Sequence, residues 1–78
     1  MGTTKVLGCR KDKGELVCDF RDKNDIIIVR GSVNEKGEGV ITDSHSTSKD
    51  GADPNSMIEA EKYTLQQIRL KKRSEGEF

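Results

Sequence analysis

The residue types that carry out most protein chemistry are scarce in this chain of 78 residues, and they are widely spaced. The chain has two cysteines, Cys9 and Cys18, and one histidine, His45. A structural zinc site usually needs about four cysteine or histidine ligands, paired at spacings of about two to four residues. The three residues do not match that pattern. We therefore expect neither a bound metal ion nor a cofactor.

The single histidine lies in the segment Asp43-Ser44-His45-Ser46. Serine, histidine and aspartate are the residue types of a hydrolytic triad, in which the histidine activates the serine hydroxyl. Adjacent residues of a strand point to opposite faces, however, so Ser44 and His45 cannot meet if this segment is extended. The chain also lacks the glycine-rich motifs that bind nucleotide phosphates. We therefore expect that the protein is not an enzyme.

The two cysteines lie on either side of a predicted tight turn at Lys13-Gly14. Glycine adopts the left-handed conformation that such a hairpin turn requires. A turn of this kind sets Cys9 opposite Cys18, whereas a three-residue loop with Gly14 as a bulge would pair Gly8 with Cys18. The first register gives the more continuous apolar face, and it makes the cysteines a candidate disulfide. Because nothing in the sequence indicates secretion, reduced thiols are the favoured state.

The rest of the chain predicts the elements that position these residues. Short apolar or β-branched runs separated by turn residues indicate an antiparallel meander, with strands at about 3–9, 15–20, 25–33 and 39–46. A loop over 47–53, expected to be flexible, leads to a helix over about 54–73 and a tail over 74–78. Asp53 is the predicted N-cap, with Pro54 at the first helical position. Residues 1–78 are therefore predicted to form a single small α+β domain, a four-stranded antiparallel β-meander followed by one C-terminal α-helix packed on the sheet.

The predicted registers divide the apolar residues of the sheet between two faces. The face expected under the helix carries Leu7, Leu16, Cys18, Phe20, Ile27 and Val29. The matching stripe of the helix comprises Met57, Ile58, Ala60, Leu65 and Ile68. The sequence is compatible with two kinds of turn in the third hairpin. One of them, a type I turn with a glycine bulge at Gly37, would exchange Val40 and Ile41 between the faces.

The other face is not purely polar, because Ile26 and Ile28 point to it, together with Val17 and, at a strand end, Val6. Either the sheet curls into a small barrel or the long loop covers this face, or the face is a contact surface for another chain. Tyr63 and Leu70 lie outside the predicted helix stripe. The candidate protein-contact residues are therefore Ile26, Ile28, Tyr63 and Leu70.

The end of the helix carries a basic cluster, which makes Arg69, Lys71, Lys72 and Arg73 candidate nucleic-acid contacts. Cations at a helix C-terminus are also simply favourable partners of the helix dipole. The chain has 14 basic and 14 acidic side chains, so its net charge gives no attraction to nucleic acid or to an anionic membrane. Four antiparallel strands followed by one helix is similar in topology to the positive-coactivator type of single-strand DNA binders, but no residue motif accompanies this likeness.

These observations favour a small non-enzymatic protein-binding module of the adaptor or inhibitor type, which binds another protein or a second copy of itself. Viruses and mobile elements often carry small proteins of this kind. The alternative is a single-stranded nucleic-acid-binding domain that uses the sheet and the basic helix end. The longest apolar run, Ile26-Ile27-Ile28-Val29, is far shorter than a membrane span. We expect a cytoplasmic protein, unless a leader was removed before Met1.

Overall fold

The computed structural model describes residues 4–48 and 51–75 and shows four antiparallel strands followed by one helix. The elements are β1 (Lys5–Asp12), β2 (Glu15–Asp22), β3 (Asp25–Val33), β4 (Gly39–Ser46) and α1 (Pro54–Glu75). The strands form one open sheet in chain order. The predicted α+β fold is confirmed, although β1 and β2 continue further than expected. The described residues do not include residue 3 of the first predicted strand, 49 and 50 of the predicted loop, or 76–78 of the predicted tail. Residues 74 and 75, predicted as tail, belong to α1.

The first hairpin has the predicted tight turn, because both Lys13 and Gly14 have positive φ angles, 50° and 83°. Cys9 consequently pairs with Cys18, as predicted. Further along, the register shifts between Val6 and Gly8, so Val6 rather than Leu7 lies opposite Phe20. The prediction that Leu7 belongs to the core face is therefore wrong, since the bulge leaves this side chain 49% exposed.

The third hairpin adopts the alternative with a glycine bulge. The Gly37 N–H donates to the Asn34 carbonyl oxygen over 2.9 Å, and Gly37 has a φ of 83°. A second register shift follows in β4, where Gly31 pairs with Ile41 but Arg30 pairs with Asp43, leaving Thr42 as the extra residue. Ile41 therefore lies on the helix side of the sheet.

The helix begins as predicted. The Asn55 N–H donates to the Asp53 side chain over 2.8 Å, which is the N-cap bond. The helix packs on β2, β3 and β4, whereas within the described residues it has no contact with β1. Its buried side recurs at every fourth residue and comprises Ser56, Ala60, Thr64 and Ile68.

The helix stripe differs from the prediction at Ile58, which is 49% exposed. Ile58 is two residues from both Ser56 and Ala60, which is about 200° around the helix axis, so it points away from the strands. The helix approaches the sheet closely, because a Cβ atom at Gly31 would lie 2.5 Å from the Ile68 Cδ1 atom. The buried core otherwise matches the predicted faces and consists of Leu16, Cys18, Phe20, Ile27, Val29, Ala60 and Ile68.

Candidate protein-contact surface

The face of the sheet opposite to α1 is called here the open face. Ile26 and Ile28 lie on it, since their neighbours Ile27 and Val29 belong to the core under the helix. The strands form a single open sheet, so the barrel interpretation is wrong. The described end of the long loop does not cover this face either, because Ala52 packs against the core on the helix side. Both isoleucines are half-buried rather than enclosed.

A network of ion pairs and hydrogen bonds extends over the open face from Arg30 to the β1–β2 turn. The Arg30 Nη1 atom lies 3.1 Å from the Asp12 Oδ2 atom and 3.3 Å from the Glu15 Oε1 atom. The hydrogen bond to Asp12 is the largest cause that holds the pKa of Arg30 above its ordinary value, and burial acts in the opposite direction. The Thr42 hydroxyl donates to Glu15 over 2.6 Å. One network thus joins all four strands, because Asp12, Glu15, Arg30 and Thr42 belong to β1, β2, β3 and β4.

Beneath this network lies Val17, which is fully buried although the helix is on the other side of the sheet. Its neighbours across the strands are Arg10 and Arg30. Arginine side chains cover apolar surface with their aliphatic stems while the charged ends stay in water. Arg10 itself pairs with Asp19 over 3.1 Å. The open face is therefore ordered by the chain's own contacts before any partner binds.

One end of the open face carries a different charge pattern. Lys5 and Arg21 are opposite each other on β1 and β2, and both are exposed. Neither has an ion-pair partner within residues 4–48 and 51–75. Ile26 is the next residue across the sheet from Arg21. This end is therefore basic beside an apolar side chain, whereas the opposite end holds the two carboxylates of Asp12 and Glu15.

The edges of the sheet are less suited to contacts than its open face. β1 carries its bulge at Leu7 and β4 carries its bulge at Thr42. Bulges on edge strands hinder the addition of another strand, because they interrupt the regular spacing of the free N–H and C=O groups. Both edges of this sheet are interrupted in this way. A partner is therefore better received by the side chains of the open face.

The remaining candidate contact residues are not on the open face. Tyr63 packs edge-to-face on Phe20, with ring centroids 5.6 Å apart, and it is half-buried against the core. Leu70 is 49% exposed on the helix. The structure thus brings Ile26 and Ile28 together and separates them from Tyr63 and Leu70.

The basic residues of the helix end are not equivalent in the structure. The Lys72 ammonium donates to the Gly37 carbonyl oxygen over 2.6 Å, so it ties the helix end to the β3–β4 loop. Lys71 is half-buried, whereas Arg69 and Arg73 are exposed. Only part of the cluster is thus presented to solvent.

The triad residue types are separated as the alternation of a strand requires. The Ser44 hydroxyl donates to Glu61 of the helix over 2.9 Å, so it points to the helix side. The His45 Nδ1 atom lies 3.0 Å from the Asp43 Oδ2 atom, and these two side chains are exposed. No group of three or more His, Cys, Asp or Glu residues in the described part of the chain is placed to hold a metal ion.

Cys9 and Cys18 form a disulfide in the structure, with Cα atoms 4.0 Å apart. The sequence favoured reduced thiols, and the structure differs because the register places the two side chains directly opposite each other on the helix side of the sheet. Cys18 is buried in the core, and Cys9 packs against it from β1. This bond joins β1, which the helix does not contact, to the part of the sheet that the helix covers.

No known family, curated protein or solved structure matches this chain. In the described residues, no helix is both long and apolar enough to cross a membrane.

Proposed function

We propose that the protein is a small, non-enzymatic protein-binding module of the adaptor or inhibitor type, and that its contact surface is the open face. The observation that carries the proposal is the position of Ile26 and Ile28. These two apolar side chains lie on a face that no described element covers, while the helix occupies the other face. An apolar pair that the described residues leave only half-buried gains free energy when a partner buries it.

The surroundings of the isoleucines favour a protein partner. No pocket is formed by residues 4–48 and 51–75, so the open face has no concave site of the kind that encloses a small molecule. Charged side chains surround the apolar pair, among them Arg21 and the Arg10–Asp19 ion pair. An apolar centre with a polar rim is the usual arrangement of a protein–protein contact.

Single-stranded nucleic-acid binding is the second candidate, because Arg69 and Arg73 are exposed at the helix end. The open face offers this alternative little support. Its Arg10 and Arg30 are engaged by carboxylates. The described aromatic rings, Phe20 and Tyr63, pack on each other on the helix side, where bases could not stack on both.

The location expected from the sequence, the cytoplasm, is part of the same proposal. A disulfide between Cys9 and Cys18 persists best in oxidising compartments, so the redox state of the protein recovered from its cells tests this location. Thiols trapped by alkylation at lysis support a cytoplasmic protein. A fully oxidised pair contradicts it.

The proposal is tested by capture from an extract of the cells that make the protein, followed by mass spectrometry. The wild type is compared with Ile28→Lys on the open face and with Ile58→Lys, the same change at an exposed helix position. We expect proteins that the wild type and Ile58→Lys retain and Ile28→Lys loses. Equal capture by all three, or capture lost only with Ile58→Lys, would contradict the proposed surface. Binding of a labelled single-stranded oligonucleotide at low salt, abolished by changing Arg69 and Arg73, would favour the second candidate instead.

A further inference from the structure

Resting on the proposed function, we infer that the partner of the open face is a second copy of this chain. The two copies pack open face to open face. They are related by a two-fold axis that lies between the sheets and crosses the strands above the row that contains Cys18 and Val29. This row is in register across the whole sheet, because Cys9, Cys18, Val29 and Ser44 are successive neighbours on β1 to β4.

The axis exchanges the two ends of the open face, and these ends are complementary in charge. At one end, Asp12 and Glu15 share the single cation of Arg30. At the other end, Lys5 and Arg21 have no ion-pair partner in the described chain. One end therefore has an excess of negative charge and the other an excess of positive charge. A face with this pattern attracts a copy of itself that is turned end for end.

The register gives the facing pairs. On β2, positions 15 and 21 are equally far from Cys18, so Glu15 faces the partner's Arg21. On β1, Asp12 and Lys5 lie opposite Glu15 and Arg21, so Asp12 faces the partner's Lys5. Each contact occurs twice because the interface is symmetric. Among these four charged residues, the rotation places no two of the same sign opposite each other.

The isoleucines lie on or near the central rows of the contact. On β3, positions 28 and 30 are equally far from Val29, so Ile28 faces the partner's Arg30. Arg30 is the cross-strand neighbour of the fully buried Val17, and an arginine stem offers aliphatic carbons as well as a guanidinium. Ile26 likewise faces the partner's Ser32, a small residue that leaves room for it. Ile28 thus faces an arginine, and Ile26 faces an uncharged serine.

The size of the face sets the strength of the dimer. Four strands spaced about 4.8 Å apart and eight residues long at about 3.4 Å each give a face of about 19 by 27 Å. Two such faces bury on the order of 1,000 Å², at the lower limit of specific interfaces. We therefore expect a weak dimer that salt weakens further, since its outer contacts are exposed ion pairs.

Sedimentation of the wild type and of two charge variants tests this inference. The wild type should dimerise with a dissociation constant below about 1 mM, which corresponds to about −4 kcal/mol. Arg21→Glu and Glu15→Arg should each weaken this association about tenfold or more, because like charges then face each other twice. An equimolar mixture of the two variants should restore it, because each carries the charge that the other lacks. Lys23→Glu, the same charge change in a turn outside the face, is the control for Arg21→Glu.

A wild type that stays monomeric at about 1 mM would overturn the inference. So would charge variants that associate as the wild type does, or a mixture that associates no better than its components. Glu15→Arg also removes bonds to Arg30 and Thr42. If it does not fold, the comparison of Arg21→Glu with Lys23→Glu decides alone. A monomeric wild type that still captures other proteins through Ile28 overturns only this inference. A monomeric wild type that captures no protein through Ile28 overturns the proposed function as well.

Discussion

Arg30 lies directly across from Val17 on the neighbouring strand, and Val17 is fully buried although α1 packs on the opposite face of the sheet. The helix buries one face of the sheet, and on the other face the fully buried Val17 lies between Arg10 and Arg30 on the neighbouring strands. The open face is consequently a fixed arrangement of side chains. Ile26, Ile28 and Val40 also lie on this face, and each is half-buried.

Replacing Arg30 with alanine should lower the stability of the protein. The change uncovers Val17 and leaves Asp12 and Glu15 close together without the cation between them. Arg30→Met, which keeps an unbranched apolar stem, should recover part of the loss. Urea unfolding measures the effect, with Arg69→Ala at an exposed helix position as the control. Equal midpoints for Arg30→Ala and Arg69→Ala would show that Arg30 does not cover the sheet.

The bulge at Leu7 predicts a contrast between two leucines. Leu16→Ala removes a fully buried side chain and should cost about 2–5 kcal/mol. Leu7→Ala should cost less than about 0.5 kcal/mol, because the bulge leaves Leu7 on the surface. Both values come from urea unfolding of the single variants. A large loss of stability in Leu7→Ala would show that this side chain is buried and would contradict the bulge.

The parts of the fold that could be predicted from the sequence are set by local chemistry. Gly14 indicates a tight turn, and this turn fixes Cys9 opposite Cys18. Asp53 and Pro54 likewise indicate where the helix begins. Each of these features depends on residues close together in the chain, so a short stretch of sequence contains the necessary information.

The two bulges have weaker signals in the sequence than the first turn and the start of the helix. Gly8 is a glycine inside a strand, which often marks a bulge, and it was the available signal for the shift at Leu7. Thr42 carries no such signal. The Arg30 network depends on strands that are far apart in the chain, and the exposure of Ile58 depends on which side of the helix packs on the sheet. These features follow from tertiary packing, which periodicity alone does not contain.

The close approach of helix and sheet predicts a coupled pair of substitutions. Gly31→Ala should cost about 1–3 kcal/mol, because the new methyl group would lie 2.5 Å from the Ile68 Cδ1 atom and 2.8 Å from the Val40 carbonyl oxygen. Ile68→Val removes that Cδ1 atom. The double variant should therefore be more stable than the sum of the two single effects predicts, as a double-mutant cycle of unfolding energies would show. Strictly additive costs would contradict the contact between Gly31 and Ile68.

The disulfide should contribute to stability mainly by restricting the unfolded chain. Cys9 and Cys18 are nine residues apart, and a loop of this size corresponds to about 2–3 kcal/mol in the chain-entropy model. Reduction by a dithiol should lower the urea midpoint accordingly. A double variant with alanine at both positions should unfold at the same midpoint with and without the dithiol. A wild-type midpoint that ignores the dithiol would show that the bond does not restrain the chain.

The claim that the open face receives a protein partner is tested most directly by the isoleucine methyl groups. The protein is labelled with ¹³C at these methyls, and its spectrum is recorded alone at rising concentration and in unlabelled extract of its own cells. Ile26 and Ile28 report on the open face, Ile58 on the outer side of the helix and Ile68 on the core. We predict that the Ile26 and Ile28 signals shift or broaden first, while those of Ile58 and Ile68 stay as they are in dilute buffer. Signals of Ile58 that change while those of Ile26 and Ile28 do not would contradict the account.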